Sequence, residues 1–354
     1  MQTANILVYG AGPLGSVFAA SLQRAGHNVS LLARGKRLQA LREHGIVITD
    51  FVTKETRTTR VKVVEALHPE DAYDLILVIM RKNHALEILP VLAANRASPN
   101  VLFMMNNAAG PDALVDSLGQ ERVLIGFPSS AGTRRGDVVV ALSGTEAEPY
   151  TVPFGEVDGK TRERTRYVAN ILSSPVEFEA EIREDMDTWA KCHVALLMSA
   201  FAPAMYACGT DNYRMARTPD AIILTVRGIK EAFRGLRALG YPIVPGYIRW
   251  MTLLPEPLLV IIFRRLLQKE RMEIAMAAHA DAARDEMKHL ALEFRDLTSG
   301  SGVDMPVCDQ LFHYLDPGTP LMPEGQSNLS MRWHELLIPL TLLALVITVL
   351  ITVF

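Results

Sequence analysis

Three glycines carry the first chemical signal. They stand in Gly10-Ala11-Gly12-Pro13-Leu14-Gly15, directly after an apolar run at 6–9 and ahead of an apolar periodic stretch that reaches residue 25. That order reads as strand, glycine turn, helix. The first glycine allows a tight turn, the second lets the backbone approach a pyrophosphate, and the third lets helix and strand pack closely. A helix start also offers free N–H groups and positive potential to phosphates. The motif alone is weak, but in this setting it points to a bound dinucleotide on residues 10–15. The next apolar segment, NVSLLA at 28–33, ends in Ala33-Arg34-Gly35-Lys36-Arg37. An acid there would bond the 2′-hydroxyl of NAD. None is present, and cations cluster instead. They suit a 2′-phosphate, so the expected cofactor is NADP, with Arg34 as its main contact and Lys36 beside it. The competing reading is the solvated start of a basic helix.

These residues need a frame to hold them. Segments at 6–9, 28–33, 46–48, 62–64, 74–80, 101–105 and 123–127 read as strands, and 34–43, 84–94 and 111–118 as helices. DLILVIM at 74–80 has no alternation, as expected of a strand covered on both faces. The alternation predicts an α/β Rossmann domain with a doubly wound, mostly parallel sheet. Residues 138–156 read as β with polar interruptions, and 161–172 as a helix. Beyond about 179 the chain is helical, with 3.6-residue apolar periodicity over 185–207, 219–239, 257–267 and 274–297. The expected domains are a cofactor domain at 1–178, an all-α substrate domain at 179–316, a loose Pro/Gly linker at 317–335 and a terminal segment at 336–354.

Composition narrows the function classes. The chain has 354 residues, 36 Lys+Arg and 39 Asp+Glu, for a net charge of -3, so no basic excess argues for nucleic acid. Its 49% hydrophobic and 21% charged residues belong to a folded protein. Cys192, Cys208 and Cys308 show neither a disulfide pattern nor zinc spacing, which suggests a reducing compartment. The histidines include no HExxH motif, and no metal is expected. His193 and His279 are lone histidines on helices, more often packed than catalytic.

Residues 336–354, LLIPLTLLALVITVLITVF, carry no charge and leave no polar face. As a helix at about 1.5 Å per residue they would reach roughly 28 Å, near a hydrocarbon core of about 30 Å. Arg332, Trp333 and His334 just before them suit a headgroup zone. A transmembrane anchor is expected, with a buried helix or an oligomer contact as the alternative. No secretory signal precedes residue 5, which favours the cytoplasmic side for the folded domains.

The chain resembles the ketopantoate reductase (2-dehydropantoate 2-reductase) family over roughly residues 5–315. GAGPLG opens it, and LLARGKRL follows the second strand. MNNAAG at 105–110 occupies the place of the family's QNG segment. Trp189-Ala190-Lys191 is similar to its W-x-K, and Glu286 lies twenty residues before Pro306, as the family glutamate lies before a helix-starting proline. The resemblance implies a Rossmann domain, a helical domain and NADPH-dependent reduction of a 2-keto acid. Lys191 would then be the general acid. A cation beside the ketone oxygen stabilises the charge that develops there more than it stabilises the ground state. Glu286 would bind a substrate hydroxyl or the cofactor ribose, and Asn106 would position the nicotinamide. Taken without the resemblance, Lys191 is a lysine on an amphipathic helix, Glu286 a helix-face carboxylate and Asn106 a turn residue.

The family pattern breaks at several places. Arg81 and His84 stand where the family has lysine and glutamine, with Lys82 between them. Arg81 can still contact a phosphate or ribose, though it is not equivalent to lysine. Ala195, Ser199 and Ile274 replace groups that hold the hydroxyl and carboxylate of pantoate. Each lost hydrogen bond to a charged group costs about 1.5–3 kcal/mol, so a different, more hydrophobic substrate is expected. The reading is an NADP-dependent oxidoreductase for a small carbonyl substrate, on a membrane through 336–354 and compatible with a homodimer. Its rivals are a non-catalytic NADP-binding sensor or scaffold at the membrane, and a true ketopantoate reductase with a rearranged site.

Overall fold

The computed structural model describes residues 3–336, apart from the side chains of Met198 and Ser199. Twelve strands run in chain order: β1 (Asn5–Tyr9), β2 (Asn28–Leu32), β3 (Ile46–Asp50), β4 (Thr56–Thr59), β5 (Lys62–Val64), β6 (Leu75–Val78), β7 (Val101–Met104), β8 (Val123–Gly126), β9 (Ala131–Arg135), β10 (Val138–Leu142), β11 (Tyr150–Glu156) and β12 (Phe178–Ile182). Eight of them form one sheet in the order β12-β11-β8-β7-β6-β1-β2-β5. The pairs from β5 through β8 are parallel, β11 returns antiparallel on β8, and β12 runs parallel to β11. LILV, VLFM and VLIG of β6, β7 and β8 are buried at every position. Having no polar residue to turn to water, they can only be central strands.

The remaining four strands form a separate sheet, β4-β3-β10-β9. The sequence shows its strands only as scattered β segments, because β4 (TRTT) is polar and nearly all exposed. The first seven helices are α1 (Pro13–Arg24), α2 (Gly35–His44), α3 (Lys82–Glu87), α4 (Leu89–Ala94), α5 (Asp112–Leu118), α6 (Glu163–Leu172) and α7 (Met186–Leu196). The single helix expected at 84–94 is divided into α3 and α4, and Pro90 stands in the first turn of α4. Helix α1 buries Val17, Phe18 and Leu22, with Phe18 stacked on Phe178 of β12 at 4.4 Å between ring centroids.

The chain divides into two units, one of residues 1–191 and 281–293, the other of 192–280 and 294–354. The first holds the sheets. The second is built from α8 (Ala202–Ala207), α9 (Asn212–Ala216), α10 (Pro219–Ala238), α11 (Gly246–Leu253) and α12 (Glu256–Leu267), and contains α15 (Pro306–Phe312). Helices α13 (Ala278–Ala282) and α14 (Arg284–Thr298) cross the unit boundaries along the chain. π-helical turns at Leu197–Phe201 and Glu273–Ala277 interrupt what the periodicity presents as continuous helices.

The connector at 317–335 is not loose. Buried Asp220 accepts the backbone N–H groups of Asn328 and Leu329, and buried Glu256 accepts that of Arg332. Glu335 accepts from Lys230 and from the backbone N–H of Glu256, each at 2.8 Å. Proline and glycine content alone cannot reveal such fastening, which depends on carboxylates far away in the chain. Among the described residues no helix is long and apolar enough to cross a membrane. Residues 337–354 of the expected transmembrane segment lie outside the described residues.

Candidate active site

The glycine turn lies at the carboxyl end of β1. Gly10 has a φ of +125°, and a Cβ on it would lie 2.3 Å from the Ile79 carbonyl oxygen. A Cβ on Gly15 would lie 1.8 Å from the Gly10 oxygen. Both positions therefore admit only glycine. Gly12 differs, since nothing lies within 4 Å of where its Cβ would be. It is the N-cap of α1, with no side-chain cap and with Pro13 at the start of the helix, and residues 11–14 are partly exposed, so the first amides of the helix are left for a ligand. A cradle closed behind by Gly10 and Gly15 and open at Gly12 fits the pyrophosphate of a dinucleotide.

At the end of β2, Ala33 is buried while Arg34 and Lys36 are exposed. Arg37 is already engaged, donating to Ser16 Oγ at 3.2 Å and to the Asp137 carbonyl at 3.0 Å. Arg34 acts on the end of β1. Burial raises the Tyr9 hydroxyl above its ordinary pKa, and the Arg34 charge opposes that rise. The three cations that look equivalent in sequence thus divide into one structural arginine and two solvent-facing groups beside the glycine turn.

A buried polar cluster follows the ends of β6 and β7. Asn106 and Asn107 are 7% and 6% exposed, Lys82 and Glu286 3% each. Lys82 Nζ donates to Asn107 Oδ1 at 2.7 Å and to Glu293 Oε2 at 2.8 Å. Asn107 also closes its own turn, accepting from the Gly110 N–H at 3.0 Å and donating to the Gly110 oxygen at 2.9 Å. Glu286 accepts from the Lys82 backbone N–H at 3.4 Å and from the Asn106 side chain. Burial pushes its carboxyl above the ordinary carboxylate value, and those hydrogen bonds only partly offset this. Asn106 Oδ1 is buried and has no hydrogen-bond partner among the described residues. A buried amide oxygen without a partner is costly, and a ligand amide or hydroxyl donor would satisfy it.

Lys191 lies on α7 and is 3% exposed. Its Nζ is 2.5 Å from Asp187 Oδ2, one helical turn earlier. Trp189 packs against Phe127 at 5.4 Å. A Cβ on Gly110 would come within 3.5 Å of both Lys191 Nζ and Asp187 Oδ1, so the MNNAAG turn lies against this ion pair. Asn107, Asp187 and Ala190 border a small cavity with room for about one water at most. Burial lowers the Lys82 ammonium below its ordinary range, Glu293 opposes the fall, and the Lys191 charge adds to it.

The fold thus brings Asn106, Glu286 and Lys191 together. It also adds four residues that sequence reasoning missed: Lys82, Asn107, Asp187 and Glu293. Asp187 had a readable signal, an acid four residues before a lysine on one helix. Lys82 had none beyond standing next to Arg81. Arg81 turns instead to Asp285, at 2.8 Å, and to the Ala282 carbonyl.

In the second unit, Ala195 and Ile274 are buried apolar residues. Desolvation and the neighbouring His279 pull His193 down to about 4, so its ring is neutral near pH 7. All three cysteines are free and buried, and burial pushes Cys208 up to about 12. Among the described residues no group of three or more His, Cys, Asp or Glu is placed to hold a metal ion.

Residues 6–158 match the family model described as ketopantoate reductase PanE/ApbA. The 2-dehydropantoate 2-reductase of Archaeoglobus fulgidus is 27% identical over 243 residues, covering 68% of this chain and 76% of that protein. The crystal structure of 2-dehydropantoate 2-reductase from Geobacter metallireducens GS-15 aligns with a TM-score of 0.69 at 17% identity, over 89% of this chain and 99% of its own. D-mandelate dehydrogenase, solved with NADH and anilino(oxo)acetate, aligns with a TM-score of 0.68 at 17% identity, over 88% and 96%. At these identities the two solved structures establish the shared fold. The family-model match and the curated relative indicate an oxidoreductase, similar over residues 6–158 to the ketopantoate reductase PanE/ApbA family.

Proposed function

We propose that the chain reduces a ketone or 2-keto acid with NADPH and that its substrate is more apolar than ketopantoate. One observation carries this reading. The buried Lys191 ammonium, held by Asp187, lies against the same turn that presents Asn106 to Glu286. That turn follows β7, two strands from the glycine cradle after β1. Ligands of open α/β sheets bind beyond the carboxyl ends of such strands.

In this reading residues 10–15 hold the pyrophosphate, Arg34 and Lys36 hold the 2′-phosphate, and Asn106 offers its unpartnered oxygen to the carboxamide end. NADPH supplies the hydride when bound. Lys191 Nζ holds the ketone oxygen and gives it a proton as the carbonyl carbon becomes tetrahedral. A fixed cation there lowers the barrier because the negative charge appears only as the reaction proceeds. Glu286 receives a substrate hydroxyl or ribose hydroxyl. Arg81 is held by Asp285 and the Ala282 carbonyl, so it is given no direct contact with the cofactor. Ala195 and Ile274 stand where the family resemblance places polar contacts to pantoate, which supports a more apolar substrate.

Residues 336–354 serve as a transmembrane anchor with the folded units on the cytoplasmic side. Their uncharged sequence and the basic, aromatic residues before them support this part of the reading. Stopped-flow oxidation of bound NADPH by a panel of keto acids and ketones, ketopantoate included, tests the activity. Rapid oxidation by an apolar 2-keto acid, with ketopantoate slow, is expected. NADPH that binds and is oxidised by no carbonyl compound would make the chain a sensor or scaffold instead.

A further inference from the structure

The second unit exposes a broad apolar surface on two successive helices. On α11, Tyr247, Trp250 and Leu253 are 70%, 65% and 63% exposed. On α12, Leu258, Ile261 and Ile262 are 37%, 44% and 42% exposed, at the i, i+3, i+4 spacing of one helix face. The opposite face of α12 buries Leu259, Val260, Phe263 and Leu267 in the unit's core. A helix apolar on both sides is unusual at a water surface, and such patches mark contacts.

The place where the described chain ends suggests what covers it. The Glu335 carboxylate is fixed on the Glu256 N–H at the first turn of α12, and Trp333 to Leu336 form one turn there. The uncharged residues 337–354 therefore begin at the corner where α11 passes into α12. Arg249, Arg264 and Arg265 are exposed on the same two helices, and the Arg249 guanidinium lies 5.8 Å from the Trp250 ring centroid. Exposed aromatic and aliphatic side chains with neighbouring arginines suit the interface of an anionic bilayer.

We propose that the outer face of α11 and α12 rests on an anionic phospholipid membrane. The helical unit then meets the bilayer through a surface as well as through residues 336–354. This rests on the anchor reading and extends it, because the fastened connector fixes where the anchor leaves the unit.

The test uses the full chain in phosphatidylcholine–phosphatidylserine vesicles, with plain or brominated acyl chains. All three native cysteines are buried, so a bimane probe labels an introduced Ile262→Cys selectively. Val52→Cys, in the exposed turn after β3, serves as the reference. Brominated lipid should quench the probe at 262 several-fold more than the probe at 52. Arg264→Glu with Arg265→Glu should reduce that quenching. Equal quenching at the two sites in a chain that floats with the vesicles overturns the docking face and leaves the anchor standing. A chain that does not float overturns both. A probe at 262 that ignores bromination while cross-linking to a second copy assigns the face to a dimer and overturns the proposal.

Discussion

Lys191 Nζ and Asp187 Oδ2 lie 2.5 Å apart, one turn from each other on α7. The lysine is almost fully buried and the aspartate about one-third exposed. A buried ammonium needs a partner, and this one also fixes the direction in which the ammonium points. Asp187 is thus a positioning residue in the proposed reaction. Asp187→Asn should lower kcat by about 10–100-fold, as a small misplacement of a reacting group does. NADPH affinity should stay unchanged, and Asp187→Glu should recover part of the rate. Parallel measurements of kcat, KM and the NADPH Kd check this; equal loss in all three would mean a purely structural residue.

The glycine turn predicts two opposite outcomes for the same substitution. Gly15→Ala places a methyl group 1.8 Å from the Gly10 oxygen, so it should cost at least about 3 kcal/mol of stability. Gly12 has an extended backbone, with φ -71° and ψ -176°, and open space at its Cβ. Gly12→Ala should leave Tm unchanged and weaken cofactor binding. Thermal melts with and without NADPH separate the two.

Arg34 is exposed, its charge bearing on the Tyr9 hydroxyl at the end of β1. Arg34→Ala should weaken NADPH by roughly 10–100-fold, the worth of a charge-assisted hydrogen bond. NADH affinity should barely move, because NADH lacks the 2′-phosphate. Fluorescence titration with both coenzymes reads the difference, and equal weakening of both would contradict the role given to Arg34.

Glu286 sets a pH dependence of stability. Its folded pKa is raised above the ordinary 4.5 by burial. Below 4.5 both folded and unfolded chains hold the proton. As pH rises, the unfolded chain loses it first, so stability falls until pH has passed the raised folded value. Glu286→Gln should therefore raise Tm at pH 7, with the gain vanishing below pH 4.5. The same variant should lose activity. A Tm lowered at pH 7 would show that the carboxylate stabilises the fold.

Much of the frame was legible in the chain itself. Gly10, Gly12 and Gly15 are legible because backbone crowding leaves a residue-type signature. Strands β6 to β8 are legible because burial on both faces erases alternation. Lys82 was hidden because its burial depends on Glu293 and Asn107, which lie far from it in sequence. Arg81 drew attention as a cofactor contact, yet it is engaged by Asp285, for the same reason. The four-stranded sheet went unseen as a unit because β4 is polar, and the π turns because periodicity does not register one added residue. The order of the connector is not legible in its proline and glycine content, because its fastening comes from Asp220 and Glu256.

In the proposed reaction Lys191 delivers a proton to a carbonyl oxygen while NADPH is bound. The most direct test is single-turnover oxidation of NADPH by the preferred 2-keto acid, comparing the native chain with Lys191→Ala at saturating cofactor. Equal NADPH affinity and a rate lower by about 10²-fold or more are expected, as loss of a general acid gives. An unchanged rate would remove Lys191 from the chemistry, and a native chain with no affinity for NADPH would exclude the proposed reaction altogether.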